Sequence, residues 1–198
     1  MDWPLEPGDY TAINSNSSIA ICTLGDDIKI SSKEIAISGK SLTENLGVER
    51  IVLNTISNPN IRFLIVCGDE INGHKCGQAI VSLWKNGIDK NKKIKGADGA
   101  LPYLQNIPNI FVERFRKQIK VINLIGIKDK KIITKEIEKI LKKKSKPFTG
   151  KTLDFKKYII KEEVVDDLDI DIKGNSIIVS PEYNLILNPQ TGRVLLKK

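Results

Sequence analysis

Cysteine, histidine and aromatic residues are scarce in this chain, and each scarcity narrows the explanation. Only 3 cysteines occur among 198 residues. An odd, small number excludes a disulfide framework and fits thiols kept reduced. Aromatic residues make up 6%, too few for the stacking platforms of a single-strand nucleic-acid binder. No stretch approaches the roughly 20 consecutive apolar residues of a membrane helix. The opening Met1-Asp2-Trp3-Pro4-Leu5-Glu6 has neither the basic nor the apolar region of a secretory signal. A cytoplasmic chain without a membrane anchor is expected. There is a single histidine, His74, so any imidazole chemistry has one address.

No internal repeat is visible, and the length suits one ordinary domain with a small appendage. The net charge of +8 is compatible with nucleic acid or an anionic surface. The lysines, however, are scattered or in short runs such as Lys142-Lys143-Lys144, interleaved with Asp and Glu. That pattern predicts a solvated surface and no nucleic-acid partner.

Strand-like and helix-like segments alternate through the first three quarters. Ile19 to Leu24 and Ile61 to Cys67 are short apolar runs of the kind that form buried strands. Ile35 to Ser38 and Val121 to Ile127 are further strand candidates. Thr43 suits the N-cap of a helix with Val48, Ile51, Val52 and Ile56 on one face, ended by Asn58-Pro59. A second helix turns Ala79, Ile80, Leu83 and Trp84 inward and stops at Asn86-Gly87. Pro108 can start a third, with Phe111, Phe115 and Ile119 in line. Thr134 is expected to open a fourth, burying Ile137, Ile140 and Leu141. This alternation predicts an α/β, Rossmann-like, mainly parallel sheet flanked by helices over residues 1–149. Short strand candidates at Ser176–Ser180, Asn184–Leu187 and Val194–Leu196, separated by Pro181, Asn188-Pro189 and Gly192, predict a small β-rich extension over residues 150–198.

Open α/β sheets bind ligands beyond the carboxyl ends of their strands. The segment Gly68-Asp69-Glu70-Ile71-Asn72-Gly73-His74-Lys75-Cys76-Gly77 falls there. It combines the imidazole, a side chain well suited to a transition metal, with glycines that allow close backbone approach. Cys22, Cys67, His74 and Cys76 form a candidate Cys3His zinc set for a small-molecule enzyme, though no Cys-x2-Cys spacing is present. Gly-x-Gly-x-x-Gly, a complete Walker A motif and a Gly-x-Ser-x-Gly elbow are all missing. The residues alone indicate a ligand loop centred on His74 without naming the ligand.

Longer words narrow the choice. They are Thr43-Glu44-Asn45-Leu46-Gly47, Ile56-Ser57-Asn58-Pro59-Asn60-Ile61-Arg62-Phe63-Leu64, Cys67-Gly68, Gly73-His74 with Gly77-Gln78, Asn86-Gly87-Ile88-Asp89, Ile94 through Pro102, and Glu113-Arg114-Phe115. Together with Trp3-Pro4, Gly8-Asp9-Tyr10 and Thr23-Leu24-Gly25, this stretch from residue 3 to residue 127 resembles the A-type component of the archaeal tetrahydromethanopterin S-methyltransferase complex. The resemblance implies a Rossmann-like domain carrying a cobamide, the cobalt corrinoid of the vitamin B12 type. It places His74 as the axial cobalt ligand in a methyl carrier. The carrier would receive the methyl group from methyl-tetrahydromethanopterin, or a related donor, and pass it towards coenzyme M or a related thiol. Partner methyltransferase subunits would complete the enzyme.

On that resemblance, Gly68, Gly73 and Gly77 are expected to admit the corrin. Thr43, Glu44, Asn45 and Gln78 would hydrogen-bond its amide or nucleotide groups, and Gly96, Gly99 and Pro102 would shape a second wall. The His-x-x-Gly word is also similar to the Asp-x-His-x-x-Gly signature of B12-dependent methionine synthases and mutases. Here Asn72 stands in place of the aspartate, so no carboxylate relay to the imidazole is expected. The component of the membrane complex ends in a hydrophobic anchor, whereas this chain ends in a polar tail. A soluble paralogue is therefore expected, for which corrinoid storage or other C1 methyl transfer are alternatives.

Overall fold

A computed structural model describes residues 3–30, 32–151 and 153–155 in full, and the backbone of 177–180, 185–188 and 193–196. The elements follow in the order β1 (Tyr10–Ala12), β2 (Ile19–Cys22), β3 (Ile37–Gly39), α1 (Leu46–Ile56), β4 (Phe63–Gly68), α2 (Cys76–Asn86), α3 (Asn109–Gln118), β5 (Lys120–Ile125) and α4 (Lys130–Leu141). β2 and β4 are buried along their whole length, as continuous apolar runs require when both faces are covered. The strand order is β1-β3-β2-β4-β5. All neighbours are parallel except β1, which pairs antiparallel with β3.

Side chains alternate across the pleat, and each face has its own cover. Ile19, Ile21, Phe63, Ile65 and Cys67 meet Ile133, Ile137 and Ile140 of α4, with Ile28 and Ile35 from the segment between β2 and β3. The other face lies under α1, α2 and α3, which pack on one another and bury Val48, Val52, Ala79, Ile80, Leu83, Phe111 and Phe115. β3 sits on one side of β2, while β4, reached through α1, sits on the other. The chain therefore reverses its course across the sheet between β2 and β4. The crevice beyond the carboxyl ends of those two strands is the usual ligand position of such sheets, and the His74 loop leaves β4 there.

Several boundaries differ from the sequence expectation. α1 is capped by Asn45, whose Oδ1 accepts the Leu46 amide at 2.7 Å. Thr43 sits outside the helix and its Oγ1 accepts the Gly47 amide at 3.0 Å. α4 begins four residues before Thr134, because Asp129 caps it by accepting the Lys131 amide at 2.8 Å. Trp84 is half-buried, and its neighbour Leu83 takes the core position. The edge strand β1 was not expected; a three-residue strand has too few positions to show alternation.

Among the described residues, no helix is long and apolar enough to cross a membrane. The chain divides into two units, Met1–Ile159 and Ile160–Lys198. In the second, β6 (Ile177–Ser180), β7 (Leu185–Asn188) and β8 (Arg193–Leu196) form an antiparallel three-stranded sheet. The expected breakers Pro181, Pro189 and Gly192, and the strand starts Ser176 and Asn184, lie outside the described residues.

Candidate functional site

The loop after β4 is shaped from both ends. At its start, Asp26 Oδ2 accepts the Asp69 amide at 2.6 Å, and Lys128 bridges Asp69 and Asp26. Gly68 packs on the Thr23 carbonyl, and its own carbonyl accepts the Gly126 amide. At its end, Glu70 reaches the first turn of α2. Its Oε2 accepts the Gly77 amide at 3.0 Å and its Oε1 the Gln78 amide at 2.6 Å. Those amides have no partner within the helix, and a carboxylate suits the positive end of the helix dipole. Gly77 lies among Leu24, Glu70 and Ile125. Between these anchors, Gly73 has φ +86 with nothing within 4 Å of an added Cβ, a left-handed turn in open space that lifts the next residue outward.

That next residue is His74. Its side chain is 47% exposed, while its partner Glu44, from the segment before α1, is 1% exposed. Glu44 Oε2 lies 2.9 Å from His74 Nδ1, and Glu44 Oε1 accepts the Leu101 amide at 2.6 Å. Burial pushes the Glu44 carboxyl up. The Leu101 amide, its own amide and the His74 ring outweigh that effect and hold it below its ordinary value. An ionised carboxylate can only accept, so the shared proton sits on Nδ1. Nε2 is then the ring nitrogen not tied to Glu44, and in the neutral ring it carries the lone pair. Carboxylate–imidazole pairs of this kind are the ones that orient ligating histidines in metal sites. The Glu44–His74 pair corrects the expectation drawn from Asn72: the carboxylate exists, but comes from thirty residues upstream.

The segment from Gly96 to Pro102 closes over this pair. Gly99 approaches so tightly that a Cβ there would stand 2.3 Å from the His74 carbonyl oxygen and 2.7 Å from Glu44 Cγ. The Ala100 amide donates to the Gly73 carbonyl. Gln78 holds the segment from beneath: its Nε2 donates to the Gly96 carbonyl at 2.7 Å, and its Oε1 accepts the Asp98 amide at 3.1 Å. Pro102 is buried, with its carbonyl accepting the Ile94 amide. Gly68, Gly73, Gly77, Gln78, Gly96 and Gly99 thus lie in or against the loop that carries His74, as does Glu44, whereas Pro102 is tied to Ile94. Thr43 and Asn45 spend their side-chain oxygens on the α1 terminus. The Leu101 amide and Glu70 had not been singled out in the sequence. An acidic residue shortly before a helix start is the signal that could have revealed Glu70.

Three exposed leucines are linked to Glu44 by sequence or by a hydrogen bond. Leu42 (46%) and Leu46 (43%) stand two residues to either side of Glu44, and Leu101 (61%) is tied to it through its amide. A cavity of about 390 Å³ lies between the sheet, α1 and the Pro7–Tyr10 segment, with Thr43 and Leu46 in its wall. Another of about 560 Å³ lies between β1, β3 and the segment around Lys29. Neither includes His74, whose ring stands on an open surface.

The zinc set does not assemble. Cys22, Cys67 and Cys76 are 3%, 0% and 1% exposed, the imidazole points away to Glu44, and among the described residues no cluster of three His, Cys, Asp or Glu is placed to hold a metal ion. Burial pushes the Cys22 and Cys67 thiols up to about 12 and Cys76 well above its ordinary value, where Ser41 Oγ lies 3.1 Å from its sulfur. The three thiols are packing groups.

A family model for the A-type component of tetrahydromethanopterin S-methyltransferase matches residues 1–163. The A-type component of that methyltransferase, numbered 1, from Methanothermobacter thermautotrophicus is 45% identical over 144 residues, covering 71% of this chain and 60% of that protein. The corresponding component from Methanosphaera stadtmanae is 42% identical over 143 residues, covering 71% and 57%. A second such component, numbered 2, from Methanobrevibacter ruminantium is 44% identical over 146 residues, covering 72% and 75%. The chain thus spans about three-fifths of the length of the first two relatives and three-quarters of the third.

Proposed function

The chain belongs to the family of A-type components of tetrahydromethanopterin S-methyltransferase, and on that footing we propose that it is a corrinoid-binding methyl carrier whose single histidine holds cobalt. The observation that carries this reading is the Glu44–His74 pair. It presents one imidazole nitrogen outward and ties the other to a buried carboxylate. A neutral nitrogen ligand with a fixed tautomer is what an axial position on a transition metal needs. The exposed Leu101, whose amide holds Glu44, would offer apolar contact to a large cofactor held at the ring, which stands on the open surface. When bound, the cobalt supplies a nucleophilic centre that takes up and releases a methyl group.

The chain's own residues do the rest. His74 would hold the cofactor's cobalt, Glu44 would keep the proton on Nδ1, and Gly99 with the Leu101 amide keeps Glu44 in place. We assign this role to the domain of residues 1–149. The donor is methyl-tetrahydromethanopterin or a related compound, and the acceptor coenzyme M or a related thiol. The relatives are named as components of a larger methyltransferase, which argues for partner subunits that bring donor and acceptor to the exposed face.

Titration with hydroxocobalamin tests the proposal. The wild-type chain should take up the corrinoid in stoichiometric amount, with an absorption spectrum of histidine-coordinated cobalt. His74→Ala should lose that spectrum, and Glu44→Gln should weaken binding by about 10- to 100-fold. Failure of the wild type to take up corrinoid, or identical spectra for wild type and His74→Ala, would sink it.

A further inference from the structure

The net charge of the chain is +8, yet it is not spread over the molecule. Residues 128–151 hold ten lysines against three acidic residues, a net +7 within 24 positions. The structure gathers these lysines on and beyond α4. The inner side of α4 is spent on the sheet through Ile133, Ile137 and Ile140. Its outer side carries Ile132, Lys135, Lys139 and Lys142 in line, all exposed, at the three- and four-residue spacing that places side chains on one face. Lys128 extends the row at one end, and Lys143 and Lys144 at the other. Ile132 is 46% exposed.

The row runs the length of the sheet. Lys128 pairs with Asp69 and Asp26 at the carboxyl ends of β4 and β2. Lys143 stands 5.8 Å from the centroid of the Phe63 ring, at the opposite end of β4. Acidic compensation is thin: beyond the Lys128 pairs, Lys139 meets Glu136 at 3.2 Å, and Glu138 is exposed on the flank.

We propose that this lysine face is a peripheral docking surface for an anionic lipid bilayer. The chemistry of the row selects that partner over others. Lysine is a hydrated point charge on a flexible stem, suited to a diffuse layer of headgroups, whereas planar arginine serves bidentate phosphate recognition in nucleic acids. The outer side of α4 has no arginine and no aromatic ring on which a base would stack. Protein interfaces favour aromatic residues and arginine and are depleted in lysine. A helix with several lysines and one exposed isoleucine, lying flat on the body of the protein, resembles instead the basic faces that bind anionic membranes. His74 sits at the carboxyl edge of the sheet rather than on this face, so a docked molecule keeps its candidate site open. The surface does not depend on what His74 binds.

Cosedimentation of the full chain with vesicles decides the matter. The chain should bind vesicles of equimolar phosphatidylcholine and phosphatidylglycerol and ignore pure phosphatidylcholine. Raising the salt should release it, because the attraction is screened. Neutralising three exposed lysines, as Lys135→Gln/Lys139→Gln/Lys142→Gln, should weaken binding by roughly 100-fold while leaving the circular dichroism spectrum unchanged. The control Lys85→Gln/Lys90→Gln/Lys95→Gln, in and just after α2 on the opposite side of the sheet, should change it far less. Absence of binding to the anionic vesicles, equal loss in both triple variants, or tighter binding to duplex DNA than to the vesicles at the same salt would each overturn the assignment. His74→Ala should bind the vesicles like wild type, which separates this result from the corrinoid reading.

Discussion

Glu44 is an expensive residue to bury, and the reason it is tolerated lies in its partners. Both carboxylate oxygens are engaged, one by the Leu101 amide and one by the His74 ring, so the cost of desolvation is met by charge-assisted bonds. The sign of the resulting pH dependence follows from its lowered folded value. The ionised form is favoured in the folded state, so this contribution to stability is fully present above the ordinary carboxyl value. It is lost as pH falls through the depressed one. Chemical denaturation at a series of pH values should show the stability difference between wild type and Glu44→Gln shrinking as the solution is acidified. A difference that stays constant into acid would mean that the carboxylate is not held in its ionised form.

Helix termini decide how the site-bearing segments are aimed. α2 starts from Lys75 in a left-handed conformation with no side-chain cap of its own, and Glu70 does the capping from across the loop. Glu70→Ala leaves two part-buried amides without their acceptor, a loss of about 1–2 kcal/mol. The expected result is a lower denaturation midpoint with an unchanged m-value, together with faster amide exchange at Gly77 and Gln78. Wild-type exchange rates at those two amides would show that the cap is idle. The start of α4 follows the same logic, with Asp129 taking the role assigned to Thr134 because its carboxylate reaches the Lys131 amide.

Seen entire, the first unit keeps its reactive groups unevenly distributed. The imidazole is exposed at one edge, whereas all three thiols are sealed inside and pushed far from ionisation. The thiolate is the nucleophile, so Cys22, Cys67 and Cys76 should resist a water-soluble disulfide reagent at mildly alkaline pH. They should react only on global unfolding, at the rate of that unfolding. Rapid labelling of any one of them in the native protein would contradict the packing described for it.

Local patterns were enough to read β2, β4, β5 and the four helices, since unbroken apolar runs and helical spacing report burial directly. They also marked the loop around His74 as a candidate site, because glycines around a unique histidine are visible without coordinates. Other features depend on residues far apart in the chain. A three-residue strand such as β1 exists only because β3 lies alongside it, and no periodicity records a partner. Asn72 suggested an imidazole without a carboxylate; the fold brought Glu44 to it by laying the start of α1 beside the β4–α2 loop. The same packing drew the cysteines into the core and left His74 at the rim, dissolving a metal set that the residue types had allowed. Composition and spacing specify what each segment is. Which side chains meet is set by how the sheet orders its strands, and hydrogen bonds of about 3 Å reach cannot be read from separations of thirty residues.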